Sequence, residues 1–139
     1  LDIRPYRDDD EAAVVDLWNQ VLPSHSPHNE PRLSISRKTR HDDGLFLVAT
    51  LDAEVVGTVI GGYDGHRGWL YSLAVAPQHR RRGIGSALVG RIEEILQERG
   101  SVKINLQLRG DNAAVAGFYE RLGYTIEDRV SMGKRVFTG

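Results

Sequence analysis

The eighteen residues from Tyr71 to Leu88, Tyr-Ser-Leu-Ala-Val-Ala-Pro-Gln-His-Arg-Arg-Arg-Gly-Ile-Gly-Ser-Ala-Leu, pass from an apolar strand-like stretch through a basic turn into an amphipathic helix. This order builds an anion cradle. Glycine lets the backbone approach a ligand closely, the N–H groups of a helix's first turn lack intrahelical partners, and the helix dipole adds about half a positive charge there. A diphosphate suits such a cradle. A dinucleotide fingerprint would need a third glycine, but Gly83 and Gly85 are followed by Leu88, and no Gly-Lys-Ser/Thr marks a phosphate loop of the NTPase kind. Taken alone, Arg80, Arg81 and Arg82 read equally as a solvated basic run.

The rest of the chain alternates strands and helices. Residues 2–6 read as a first strand, and Asp8 with Glu11 as a capping box opening a helix that carries Val14, Val15, Leu17, Trp18 and Val21. Residues 23–31 form a proline-punctuated polar loop, followed by a weakly amphipathic helix through Leu33 and Ile35 to about His41. Strands are expected over 45–51 and 55–63, joined as a hairpin, and over 69–75. Ile84, Leu88, Ile92, Ile95 and Leu96 then recur at helical spacing until Gly100. Residues 102–108 alternate as a strand, 112–122 form a helix ending at Gly123, and 124–130 with 132–137 suit a closing pair of strands.

At 139 residues the chain is expected to fold as a single domain over 1–139. A domain of this size buries about 68% of its unfolded surface. A net charge of −1 gives no general pull toward nucleic acid, and no apolar run is long enough to span a membrane. Residues 1–4 lack the apolar core of a secretory leader, so a cytoplasmic protein is expected. With no cysteine, disulfides, thiolate metal sites and an acyl-cysteine intermediate are excluded. His25, His28 and His41 lack metal-site spacing, and no metal is expected.

Two motifs carry a resemblance. Arg80-x-x-Gly83-x-Gly85 after an apolar strand, and Asn112 followed seven residues later by Tyr119 and then by Gly123-Tyr124, are together similar to the signatures of the GNAT superfamily of acyl-coenzyme A N-acyltransferases. The resemblance implies an α/β (α+β) fold, a mixed twisted central sheet of six or seven strands flanked by about four helices. It implies acetyl-CoA as cosubstrate. The backbone of Leu73, Ala74 and Val75, on a bulged strand that splays from its neighbour, would bond the pantetheine arm. Arg81, Arg82, Gly83, Ile84, Gly85 and Ser86 would hold the pyrophosphate and the 3′-phosphate. Asn112, by its own position a helix N-cap, would also touch the coenzyme. Tyr119, by its own spacing a half-buried core residue, would border the coenzyme sulfur and protonate the leaving thiolate.

The implied activity is direct transfer of an acetyl group to a primary amine by a monomer or homodimer, without nucleic acid or membrane as partner. The other reading is a non-catalytic coenzyme A-binding regulatory module. An amine attacks only as its free base, and several family members place a Glu on a splayed strand for this. Here the matching positions offer Ser72, Asn105 or Gln107, none basic. Asp64 and His66 read either as substitutes acting through water or as parts of a plain hairpin turn.

Overall fold

Asp52 and Ala53 both hold positive φ, 50° and 68°, the two-residue turn whose twist matches that of the strands it joins. It connects β2 (Phe46–Leu51) to β3 (Glu54–Tyr63). The computed structural model describes residues 1–22, 30–108 and 113–136, which fall into two compact units, Leu1–Gln107 and Leu108–Gly139.

In the first unit, β1 (Asp2–Pro5), β2, β3, β4 (Gly68–Val75) and β5 (Ile104–Leu106) form one sheet in that order, antiparallel throughout except for the parallel β4–β5 pair. A parallel pair needs a crossover, which α3 (Ile84–Glu98) supplies. Successive strand residues point to opposite faces. Ile60 packs among Val14, Val15, Leu17 and Trp18 of α1 (Glu11–Val21) and Ile35 of α2 (Pro31–His41). Its neighbour Gly61 faces α3 so closely that a Cβ there would come within 2.8 Å of Ile92 Cγ1. Helices thus cover both faces, with Leu88, Ile92 and Leu96 of α3 fully buried on theirs.

The entry into α1 differs from the expected capping box. A 3₁₀ turn, Asp8–Asp10, precedes α1, and the carboxylate at its end is Asp10. Asp10 accepts from Arg4 Nη1 and Nη2 at 2.8 and 2.9 Å and from the Arg7 N–H at 2.8 Å. A fork-to-fork pair with a backbone bond is stronger than a lone cap. At α2, Glu30 caps the Arg32 and Leu33 N–H groups with Pro31 in the first turn. Lys38 then ties α2 to β3 by donating to the Gly61 carbonyl at 2.7 Å and to Asp43 at 2.8 Å.

Two strand expectations are corrected. β5 covers 104–106 rather than 102–108, because among the described residues of this run only Ile104, Asn105 and Leu106 have ladder partners, Gly68, Trp69 and Leu70 of β4; the Lys103 carbonyl accepts the first ladder bond from the Gly68 N–H and another from the Ser101 hydroxyl, both at 2.9 Å. Residues 124–136 form no strand, so the described sheet has five strands, not six or seven. Ile126, Val130, Met132 and Val136 are all more than 80% exposed, and an isolated two-stranded hairpin is marginal in water. Phe137 lies outside the described residues. The second unit contains α4 (Ala113–Arg121). Gly123 at φ 97° follows it, with Gly123 N–H bonded to the Glu120 carbonyl and Tyr124 N–H to the Tyr119 carbonyl. These are the two bonds of a Schellman cap.

Candidate active site

β4 is paired with β3 along most of its length, but with β5 only at Gly68, Trp69 and Leu70. From Tyr71 to Val75 its β5-facing edge has no ladder partner among the described residues. The same stretch is bulged. Thr58 pairs with Ala74 and Ile60 with Tyr71, so two steps on β3 match three on β4. The surplus falls at Ser72 and Leu73, and Ser72 takes φ 51°, an unusual value for a residue with a Cβ. Leu73 and Val75 are half-buried, while Ala74 is buried in the α1 core. An extended chain could add to this open edge as a further strand.

The chain leaves β4 through a 3₁₀ turn, Pro77–His79, and enters α3 through Arg81 at φ 65° and Gly83 at φ 78°. The first intrahelical bond runs from Ala87 N–H to the Gly83 carbonyl at 3.0 Å. The N–H groups of Ile84, Gly85 and Ser86 therefore have no acceptor within the helix, and no side chain caps them. A Cβ on Gly83 would meet nothing within 4 Å, so the space beside the turn is open. The first turn of α3 contains no acidic residue, and Arg80, Arg81 and Arg82 are exposed beside it. A site built of unbonded N–H groups, a helix dipole and guanidinium groups fits a diphosphate.

The structure thus brings Leu73, Ala74, Val75, Arg81, Arg82, Gly83, Ile84, Gly85 and Ser86 onto one strand–turn–helix segment of the first unit. Asn112 lies outside the described residues. Tyr119 belongs to the second unit, on α4, and is 6% exposed. Its ring meets Phe118 and Tyr124 edge-on, with centroids 5.1 and 5.6 Å apart, and burial pushes its phenol up to about 12. The Tyr119…Gly123-Tyr124 spacing has a local cause. Gly123 supplies the left-handed residue of the cap, and the cap places the next side chain against the residue five positions back.

Asp64 is held by the turn. Its Oδ1 accepts from the His66 and Arg67 N–H groups, both at 2.7 Å, and these bonds hold its carboxyl below the usual range. That shift opposes use as a base. Burial, followed by the charge of Asp64, raises the Tyr71 phenol. Sequence reasoning singled out neither Thr58 nor the indole of Trp18, yet both bond toward the bulge; Trp18 showed only the apolar periodicity of α1. Among the described residues no cluster of His, Cys, Asp or Glu is placed to hold a metal, and no helix is long and apolar enough to cross a membrane.

Residues 11–124 match the model of the acetyltransferase (GNAT) family. This chain belongs to the GNAT family of acetyltransferases. The acetyltransferase ECA0875 of Pectobacterium atrosepticum is 48% identical over 136 residues, 98% of this chain and 96% of that protein. Among solved structures, Ard1 from Thermoplasma volcanium is similar with a TM-score of 0.80 at 26% identity, covering 91% of this chain and 83% of that one. The PaiA N-acetyltransferase of Thermoplasma acidophilum, solved in complex with coenzyme A, shares the fold at a TM-score of 0.78 and 18% identity, over 93% of this acetyltransferase and 92% of that chain.

Proposed function

We propose that this acetyltransferase moves the acetyl group of acetyl-CoA directly to a primary amine, on a protein N-terminus, a lysine or a small molecule, within a ternary complex. One observation carries the reading: β4 leaves β5 after Leu70, and its open edge runs straight into the uncapped, arginine-flanked start of α3. The pyrophosphate of the cosubstrate sits on the N–H groups of residues 84–86, with Arg81 and Arg82 taking phosphate charge. The pantetheine arm adds to the Leu73–Val75 edge. Backbone N–H groups there stabilise the oxyanion that develops as the amine attacks the thioester carbonyl, and Asn112 contributes to holding the coenzyme.

Two proton movements must be supplied. The amine reacts as its free base, and no side chain on the two diverging strands is basic, so the amine loses its proton to solvent before attack. As the C–S bond breaks, the thiolate needs a donor, a role the sequence motif gives to Tyr119. A phenol near 12 stays protonated through the neutral range. An ordinary thiol sits near 8.5, so this phenol stabilises the departing sulfur by donating a hydrogen bond, with the proton following from solvent. Without a cysteine in the chain, no acyl-cysteine intervenes.

An amine panel with acetyl-CoA, read by free thiol and by the mass of the product, tests the reaction. Initial-rate lines that intersect are expected. Parallel lines, together with an isolable acetylated enzyme competent to pass on its acetyl group, would overturn direct transfer.

A further inference from the structure

We propose that Thr58 and Trp18 are positioning residues for acyl transfer, a buried relay that aims the Leu73 N–H by holding the bulge of β4. This rests on the reading of β4 as the strand that holds the thioester. Trp18 Nε1 donates to Thr58 Oγ1 at 2.9 Å, and Thr58 Oγ1 donates to the Ser72 carbonyl at 2.9 Å. The directions are forced. An indole N–H can only donate and a carbonyl can only accept, so the single hydroxyl proton of Thr58 goes to Ser72 and its lone pair receives Trp18.

Three observations make the relay more than packing. Thr58 is 0% and Trp18 3% exposed, so water cannot replace either bond. Ser72 sits at φ 51°, which is unfavourable for a residue with a side chain and persists only where the surroundings hold it. Finally, the Ser72 carbonyl and the Leu73 N–H belong to one planar peptide, in which they point in opposite directions. Fixing the carbonyl from the α1 side turns the N–H away from Thr58. A valine at position 58 would fill the same volume and supply no donor.

The test compares the wild type, Thr58→Val, Thr58→Ser, Trp18→Phe and the Thr58→Val/Trp18→Phe double variant. Equilibrium affinities for coenzyme A and acetyl-CoA are measured by calorimetry, with kcat and KM alongside. Thr58→Val should lower kcat by about 10- to 100-fold, less than outright loss of an oxyanion donor. Its affinity for coenzyme A should stay within about twofold, because the α3 cradle is untouched, while any preference for acetyl-CoA over coenzyme A disappears. Thr58→Ser should recover most of the lost kcat. Trp18→Phe keeps the stacking on Phe46 and should lower kcat by a smaller factor. The double variant should match Thr58→Val, since both changes cut one chain.

A Thr58→Val protein with wild-type kcat and an unchanged acetyl-CoA preference overturns the relay. So does a Thr58→Ser protein as impaired as Thr58→Val. If Thr58→Val does not fold, Trp18→Phe decides: lowered kcat with retained coenzyme A affinity supports the relay, and unchanged kcat overturns it. Failure of the wild type to bind either ligand would instead sink the reading of the site itself.

Discussion

Gly83 separates the charge of the cradle from its shape. Gly83 stands at φ 78° with open space where a Cβ would go. Any side chain there pays the left-handed penalty, about 1–2 kcal/mol in general and less for Asn and Asp. Gly83→Asn and Gly83→Asp share that penalty and nearly the same volume, and differ by one negative charge. In the ligand-free protein that charge lies at the N-terminus of α3, where the dipole favours it by about 0.3–1 kcal/mol, so Gly83→Asp should be at least as stable as Gly83→Asn. With a diphosphate on the same N–H groups the order reverses. Two unit charges about 4 Å apart repel by about 1 kcal/mol in water and about 4 kcal/mol at the effective dielectric of a protein surface. Acetyl-CoA affinity should therefore fall from Asn to Asp by about 5-fold to about 10³-fold, and the gap should narrow with salt. Calorimetric titration with thermal unfolding in the absence of ligand reads both quantities. Equal affinity of the two variants would refute the cradle, and a loss of affinity that followed a loss of stability would refute the electrostatic argument.

Tyr119→Phe keeps both edge-on ring contacts and the Schellman cap, so melting temperature should hardly move while the transfer rate falls by about 10²-fold, the loss expected when one hydrogen-bond donor to developing charge is removed; a normal rate rejects the assignment. The ascending limb of the pH–rate profile should follow the acceptor's own pKa and shift between amines of different basicity, and Asp64→Asn should leave it in place, since Asp64 titrates below the ordinary carboxylate range; a limb fixed across acceptors would reveal a protein base. Asp10→Asn leaves the Arg4 guanidinium, 19% exposed, without its carboxylate, and should cost about 3 kcal/mol by chemical denaturation. Because Arg4 holds the Asp10 carboxyl below its unfolded value, the wild type's advantage should be fully present above about pH 4 and fade as pH falls through the folded-state value; an advantage independent of pH would show that the ion pair is not its source.

Most of the first unit was legible because its elements obey local rules. The apolar spacing of α1 and α3, Leu33 and Ile35 in α2 and the β-rich runs of β2, β3 and β4 each name their own secondary structure. The cradle was legible for the same reason, since strand, basic turn, glycine and helix are contiguous. What was not legible depends on partners distant in sequence. Asp10 rather than Asp8 opens α1 because Arg4 reaches it. β5 ends where its ladder to Gly68, Trp69 and Leu70 of β4 ends. Thr58 looked like one β-branched residue among several, and its bonds to Trp18, forty positions earlier, and to Ser72 leave no periodic trace. Residues 124–136 show the converse, β-prone side chains that form no strand.

In the proposed reaction the cosubstrate occupies the open edge of β4 and the start of α3. Backbone amide resonances followed during titration with acetyl-CoA test it residue by residue. The largest changes, together with slowed hydrogen exchange, should fall on Leu73, Ala74, Val75 and residues 81–86, with β1 and the Arg4–Asp10 pair silent. Saturable binding that left 73–75 and 81–86 unmoved while perturbing other residues would contradict it.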